Sequence, residues 1–332
     1  MSPLAYVIVI AVLAWTYDFY NGMNDAANAI ATTVSTRALR PGQAIALART
    51  FNVIGAFATT AVAQTIGKGI VDPAMVDRGV WIAALVGAIL WSAVCTHQGI
   101  PISITHSLVG GIVGAAWVGY GFGIVKWAGL TKVFWGLLLS PLVGFAGAYL
   151  VMIAVLWLFR RVPPSKANRF FRFGQIASAS FMAFAHGSND TQNAMGMITA
   201  ALVAAGFLNT FKVPWWVIIG SAVFMGLGTS IGGWKVIRTL GMRVAKIEPP
   251  EGFSAETAAA SSIIGATLLG APISTTHVIS TAVMGVGATR RLSAVRWGVA
   301  RDIVLTWLLT FPGAAIGGAV TYFVVVRLLS IF

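Results

Sequence analysis

Gly22-Met23-Asn24-Asp25-Ala26-Ala27-Asn28-Ala29 returns later in the chain as Gly187-Ser188-Asn189-Asp190-Thr191-Gln192-Asn193-Ala194, identical at five of eight positions. A second element is also duplicated. Gly99-Ile100-Pro101-Ile102-Ser103-Ile104-Thr105-His106 matches Gly270-Ala271-Pro272-Ile273-Ser274-Thr275-Thr276-His277 in a shared G-x-P-I-S-x-T-H pattern. The two elements keep the same order in each half, 77 residues apart from Asn24 to Pro101 and 83 apart from Asn189 to Pro272. Self-similarity on this scale marks an internal repeat.

The surroundings of these elements are those of a membrane. Of the 332 residues 58% are hydrophobic and 9% charged, with a mean hydropathy of +0.85, whereas a soluble domain carries roughly a quarter charged residues. Apolar stretches suited to crossings fall at residues 4–20, 43–66, 80–97, 101–121, 133–158, 174–203, 214–232, 254–270, 272–288 and 300–326. The expected fold class is thus an all-α polytopic membrane protein. Residues 22–36 and 97–107 are too polar for lipid-facing spans, which predicts broken or re-entrant helices there. The N-terminus has no basic segment ahead of its apolar run and reads as a first membrane helix, not a removable signal.

The net charge of +13 does not form a nucleic-acid-binding patch, because the basic residues sit in short segments between apolar runs. Sixteen of the 22 Lys and Arg lie in one set of alternate loops, including Arg37, Arg40 and the run from Arg160 to Arg172. That excess predicts a cytoplasmic side for those loops and an outer side for both termini, in a cell inner membrane. Cys95 is the only cysteine, so no disulfide framework is available. Trp81, Trp127, Trp215 and Trp216 read as interfacial anchors.

The Arg160–Arg172 segment, with Pro163 and Pro164, divides the chain into a first repeat (1–159), a basic linker (160–173) and a second repeat (174–332). Each half holds five crossings, an odd number, so the second half is expected to run inverted with respect to the first. Inverted repeats with interrupted polar segments at matching positions are the pattern of an alternating-access transporter with a site near the bilayer midplane.

An aspartate within the bilayer costs at least ~2.5 kcal/mol and normally faces a cavity or a partner. Asp25 with Asn24 and Asn28, and Asp190 with Asn189 and Asn193, offer carboxylate and amide oxygens within a helical turn. Such clusters suit a hard cation such as sodium at Asp25 and Asp190, or a proton carried by the same carboxylates. The alternative is that these side chains only bridge helices. In the proline-led elements, Ser103, Thr105, Ser274, Thr275 and Thr276 stand at helix starts, where hydroxyls and free N–H groups suit an oxyanion. The alternative there is back-bonding of Ser and Thr around a proline kink. His106 and His277 read equally as proton carriers or as structural residues. His97 and His186 have no counterpart, Asn21 standing at the position that matches His186. Asp18 reads as the end of the first span and is not duplicated, which suits a helix-end or interfacial role at least as well as a transport role.

The stretch YDFYNGMNDAANAIATTVSTRALRP (Tyr17 to Pro41), with AHGSNDTQNAMGMITAAL (Ala185 to Leu202) and the segment from Gly270 to Val304, resembles the inorganic phosphate transporter (PiT) family, in its short bacterial form. The resemblance implies a symporter of phosphate and a cation, often dimeric; no cofactor is expected, a bound sodium being one of the two options for the cation. It implies cation binding at Asn24, Asp25, Asn28, Asn189, Asp190 and Asn193, and phosphate binding at Ser103, Thr105, Ser274, Thr275 and Thr276. Two departures stand out. Asn52 takes the place of a glutamate found in many sodium-coupled members, so sodium and proton coupling both stay open. The lysine that short members often have near Asn193 is absent. A sulfate permease of the same fold, a passive anion channel and an intramembrane aspartyl protease built on Asp25 and Asp190 are the competing readings.

Overall fold

In the computed structural model, which describes residues 1–328, the first helix, α1 (Pro3–Ser35), is capped by Ser2, whose Oγ accepts from the Ala5 amide at 3.2 Å. It runs unbroken for 33 residues, about 50 Å at 1.5 Å per residue, longer than a ~30 Å hydrocarbon core. The interruption predicted at 22–36 is therefore absent. The polar residues stay helical because neighbouring helices supply their partners, and the chain need not leave helical geometry to satisfy them. Asp18 accordingly lies inside α1, fully buried, and not at a span end.

Other spans do break. The segment read as one crossing at 43–66 is α2 (Pro41–Gly55) followed by α3 (Ala61–Lys68). Then come α4 (Arg78–Gln98), α5 (Ile104–Tyr120) and α6 (Trp127–Leu158). The second half holds α7 (Pro164–Asp190), α8 (Gln192–Ala204), α9 (Trp215–Ile231), α10 (Trp234–Arg238) with a π-helical turn (Thr239–Arg243), α11 (Pro249–Leu268), α12 (Thr275–Arg290) and α13 (Trp297–Tyr322). The basic residues 164–173 form the first turns of α7. By length and apolarity four helices among the described residues can cross a bilayer, α1, α4, α6 and Trp297–Val326, and a fifth span arises if α9 and the Trp234–Arg243 segment, bent by 63°, count as one. The remaining helices are shorter or carry the buried polar residues described below.

Matching positions stop and start helices in matching ways. The α4–α5 gap opens at Gly99 (φ 77°) and the α11–α12 gap at Gly270 (φ 61°), a left-handed conformation that glycine adopts without a Cβ clash. Ser103 caps α5 by accepting from the His106 amide at 3.3 Å, and Ser274 caps α12 by accepting from the His277 amide at 3.1 Å. Beyond each of these helices a short 3₁₀ turn leads to an isolated bridge, Val71 with Val125 and Ala245 with Val295. At the first bridge Asp72, exposed, accepts from Lys126 Nζ at 2.9 Å, which holds its carboxyl below the usual carboxylate range. Its small contribution is present above that range and lost as pH falls through the lowered value.

Packing repeats the pairing. α13 packs on α4 and α5, and α6 on α11 and α12; α9 packs along α1, and α2 along α7. Two buried apolar clusters result. One joins α4 and α5 to Tyr6–Tyr17 of α1 and to α8; the other joins α7, α11 and α12 to Ala27–Ala31 of α1. The middle of α1 lies between them. Trp81, expected at an interface, is wholly buried in the first cluster, whereas Trp127, Trp215 and Trp216 are exposed as expected. The outward faces of α6 and α13 expose leucine and isoleucine, Leu142, Leu150, Leu309 and Ile316 among them, as a surface bathed in lipid allows.

The candidate functional site

The two Gly-x-Asn-Asp motifs meet in the middle of the protein because their glycines permit close crossings. A Cβ on Gly22 would lie 2.2 Å from the Met225 carbonyl oxygen of α9, and one on Gly187 would lie 2.1 Å from the Asn52 carbonyl oxygen of α2. Glycine lets these backbones touch, and the residues that follow turn inward.

Asp25 and Asp190 then converge on one histidine. His186 Nε2 lies 3.6 Å from Asp25 Oδ2 and 3.3 Å from Asp190 Oδ2, and all three side chains are at most 2% exposed. On the far side of the ring, Nδ1 is 3.1 Å from Asn52 Oδ1, and Asn52 in turn donates to Thr229 Oγ1 at 3.0 Å. Asn21, at the matching position in the first motif, reaches the backbone carbonyl of Asp190 at 3.5 Å. The unpaired histidine is thus a central element of the cluster, which the lack of a duplicate had obscured.

The proline-led elements close on the same point. Thr275 donates to Asp190 Oδ2 at 3.0 Å and Thr276 to Asp25 Oδ1 at 3.1 Å, while Asn28 Nδ2 donates to both threonine hydroxyls at 3.3 and 2.9 Å. In the other element Thr105 accepts from Asn193 Nδ2 at 2.8 Å, beside the Tyr17 hydroxyl, which donates to the Ile104 carbonyl at 2.9 Å. Ser103 and Ser274 hold their helix caps, and the His106 ring also rests on Ser103 Oγ. The His106 and His277 rings stack with centroids 5.5 Å apart, so the first turns of α5 and α12 stand side by side. Residues assigned to a cation and residues assigned to an oxyanion therefore form one connected centre.

Two further residues complete it. Asn24 Nδ2 donates to Thr96 Oγ1 at 2.9 Å, and Asn189 Nδ2 donates to Thr267 Oγ1 at 2.7 Å. Thr96 and Thr267 each stand five residues before the motif proline, Pro101 or Pro272, and that equal offset is the signal in the sequence. Replacing either by valine strands a buried amide N–H, at about 1–3 kcal/mol. Thr96→Val or Thr267→Val is expected to lower transport at least tenfold, with serine retaining it, as uptake into proteoliposomes would read.

The amide carbonyl oxygens tell what the centre can receive. Oδ1 of Asn24, Asn28, Asn189 and Asn193 accepts no hydrogen bond from the protein, nor do Asp25 Oδ2 and Asp190 Oδ1. Buried acceptors without donors are costly unless a positive or proton-bearing species meets them. One ligand atom from each of Asp25, His186 and Asp190 lies within 4.8 Å of the others, so the donor set fits a small cation. Nothing here resembles a protease dyad exposed to a peptide, since a histidine stands between the carboxylates.

Known proteins resemble this chain over most of its length. The sequence matches the profile of the Phosphate transporter family over residues 21–318. It is 45% identical over 326 residues to a protein of Rhizobium meliloti (strain 1021) named a probable low-affinity inorganic phosphate transporter, covering 97% of this chain and 98% of the relative. A Bacillus subtilis (strain 168) protein of the same name is 44% identical, with 97% of each chain covered. A solved structure described as the sodium-dependent phosphate transporter superposes with a TM-score of 0.87 at 27% identity, over 98% of this chain and all of that one. With spanning helices around a buried polar centre and a match that takes in both Asn-Asp motifs, this chain is a multi-pass membrane transporter, not an enzyme, and belongs to the phosphate transporter family.

Proposed function

We propose that this protein imports inorganic phosphate by symport with a cation, through alternating access of two halves of opposite orientation. The observation that carries the reading is the single buried centre in which hydroxyls and helix starts from α5 and α12 join the carboxylates and amides of α1 and α7. The helix starts and the hydroxyls of Ser103, Thr105, Ser274, Thr275 and Thr276 take the oxyanion; no lysine or arginine is needed, and an anion held by neutral donors can leave again. Asp25 and Asp190, with Asn24, Asn28, Asn189 and Asn193, take the cation, a sodium ion or a proton. Its positive charge offsets that of the anion, and each stabilises the other in a low-dielectric site.

The paired packing of α1 on α9 and α7 on α2 supports two related halves. Sealing supports alternating access: every one of these residues is at most 2% exposed, so the centre is closed from both sides. A continuous channel would need an open path past it.

The test is uptake of radiolabelled phosphate by purified protein in liposomes, with sodium and proton gradients imposed separately. Accumulation of phosphate above its own gradient under one of them is expected, with sulfate a poor competitor. Purely downhill flux would establish a channel. Strong sulfate uptake that ignores phosphate would establish the sulfate permease.

A further inference from the structure

Asp18 is the acidic residue of α1 that the symport scheme above leaves without a task. It is fully buried, and neither carboxylate oxygen completes a hydrogen bond. It is not at the edge of the bundle: the Ser221 hydroxyl of α9 lies beside it, and Asp190 and His186 of α7 lie within electrostatic reach. On its own helix Tyr17, Tyr20 and Asp25 are the nearest titratable residues. Neither α8 nor α9 carries a titratable side chain; α4 brings Cys95 and His97, the latter against the Tyr20 ring, and Arg78 at its far end over the Tyr6 ring.

Its place on α1 is informative. Asp18, Asn21, Asp25 and Asn28 are spaced three or four residues apart and share one face of the helix. Asp18 stands two turns, roughly 10 Å, on the N-terminal side of Asp25 along this polar stripe. A fully buried carboxylate with other carboxylates in reach and neither oxygen completing a hydrogen bond is unfavourable, whereas the neutral acid is tolerated. A group that must be neutral when sealed and can ionise when water reaches it is suited to loading and releasing a proton.

We propose that Asp18 binds a proton that crosses the membrane with each phosphate, making it a coupling site separate from the Asp25–Asp190 centre. The proposal rests on the symport reading. When the Asp18 side of the stripe opens to water, the carboxylate takes a proton. The sealed state carries it as the acid beside Ser221, and release on the opposite side returns the carboxylate.

Asp18→Asn keeps the shape and neutrality of the protonated acid but cannot release a proton. In proteoliposomes the variant is expected to retain phosphate/phosphate exchange within about twofold of the wild type, because exchange needs no net proton movement. It is expected to lose at least tenfold of the accumulation driven by an imposed pH gradient, with Asp18→Glu restoring most of it. Full pH-driven accumulation by Asp18→Asn would overturn the assignment. Loss of exchange and accumulation together, in either variant, would also overturn it and make the residue structural. The two readings fail separately: wild-type protein that exchanges no phosphate sinks the symport scheme, whereas wild-type protein that exchanges phosphate but accumulates it only under a sodium gradient sinks the role of Asp18 alone.

Discussion

Asp25→Asn and Asp190→Asn each lower gradient-driven phosphate accumulation by about 100-fold or more in reconstituted protein, and the double variant is no worse than either single one. Each carboxylate shares the His186 ring with the other and accepts a threonine hydroxyl, Thr276 for Asp25 and Thr275 for Asp190. Removing one partner of a buried charged cluster costs about 3–5 kcal/mol, because the remaining groups keep their desolvation penalty without their attraction. At 1.4 kcal/mol per tenfold, the lower end of that range corresponds to roughly 100-fold. Under the proposed function both aspartates serve one cation beside one histidine, so their losses are not additive. Additive losses, or a single variant that still accumulates phosphate against its gradient, would show that the two motifs do not share a site. The same penalty falls on the folded state, so the variants are expected to melt lower as well, and a size-exclusion profile like that of the wild type separates lost coupling from lost folding.

Gly187→Leu removes most of the folded protein, as read by size-exclusion profile and thermal melting in detergent. The Cβ alone would sit 2.1 Å from a backbone oxygen of Asn52 and 2.6 Å from its Cα. Backbone atoms cannot rotate away, so α7 and α2 must separate. Overpacking of this kind costs about 1–3 kcal/mol even where side chains can adjust, and here the obstacle is main chain. Gly22→Leu on α1, against Met225 of α9, is expected to behave alike. In contrast, Gly265→Ala on α11 meets nothing within 4 Å and is expected to leave melting unchanged or slightly higher. If all three variants melted together, close helix crossing would not be what the motif glycines provide. Separating α7 from α2 also carries His186 away from Asn52, so any surviving Gly187→Leu protein should transport poorly.

Much of this protein is legible in its residues alone. The spacing of apolar runs determines a helical membrane protein, since no other backbone satisfies its hydrogen bonds in lipid except a closed barrel. The duplicated Asn-Asp and proline-led elements pick out polar side chains that the fold buries and joins, because polar groups are kept in a bilayer only where partners or a ligand repay their desolvation. Even Thr96 and Thr267 were within reach through their equal distance from Pro101 and Pro272.

Tertiary structure decided the rest. Local composition could not reveal that residues 22–35 stay helical, because their side-chain hydrogen bonds come from α4, α11 and α12, more than 70 residues away in the chain. Nor could it reveal that buried Glu256 would gather Thr32, Thr33, Gln175 and Ser178 around itself. The central place of His186, which has no duplicate, and the burial of Trp81 and Asp18 likewise follow from how helices cross. The reason is physical: periodicity records which face of a helix avoids lipid, but which buried polar group meets which depends on contacts between segments that share no local signal.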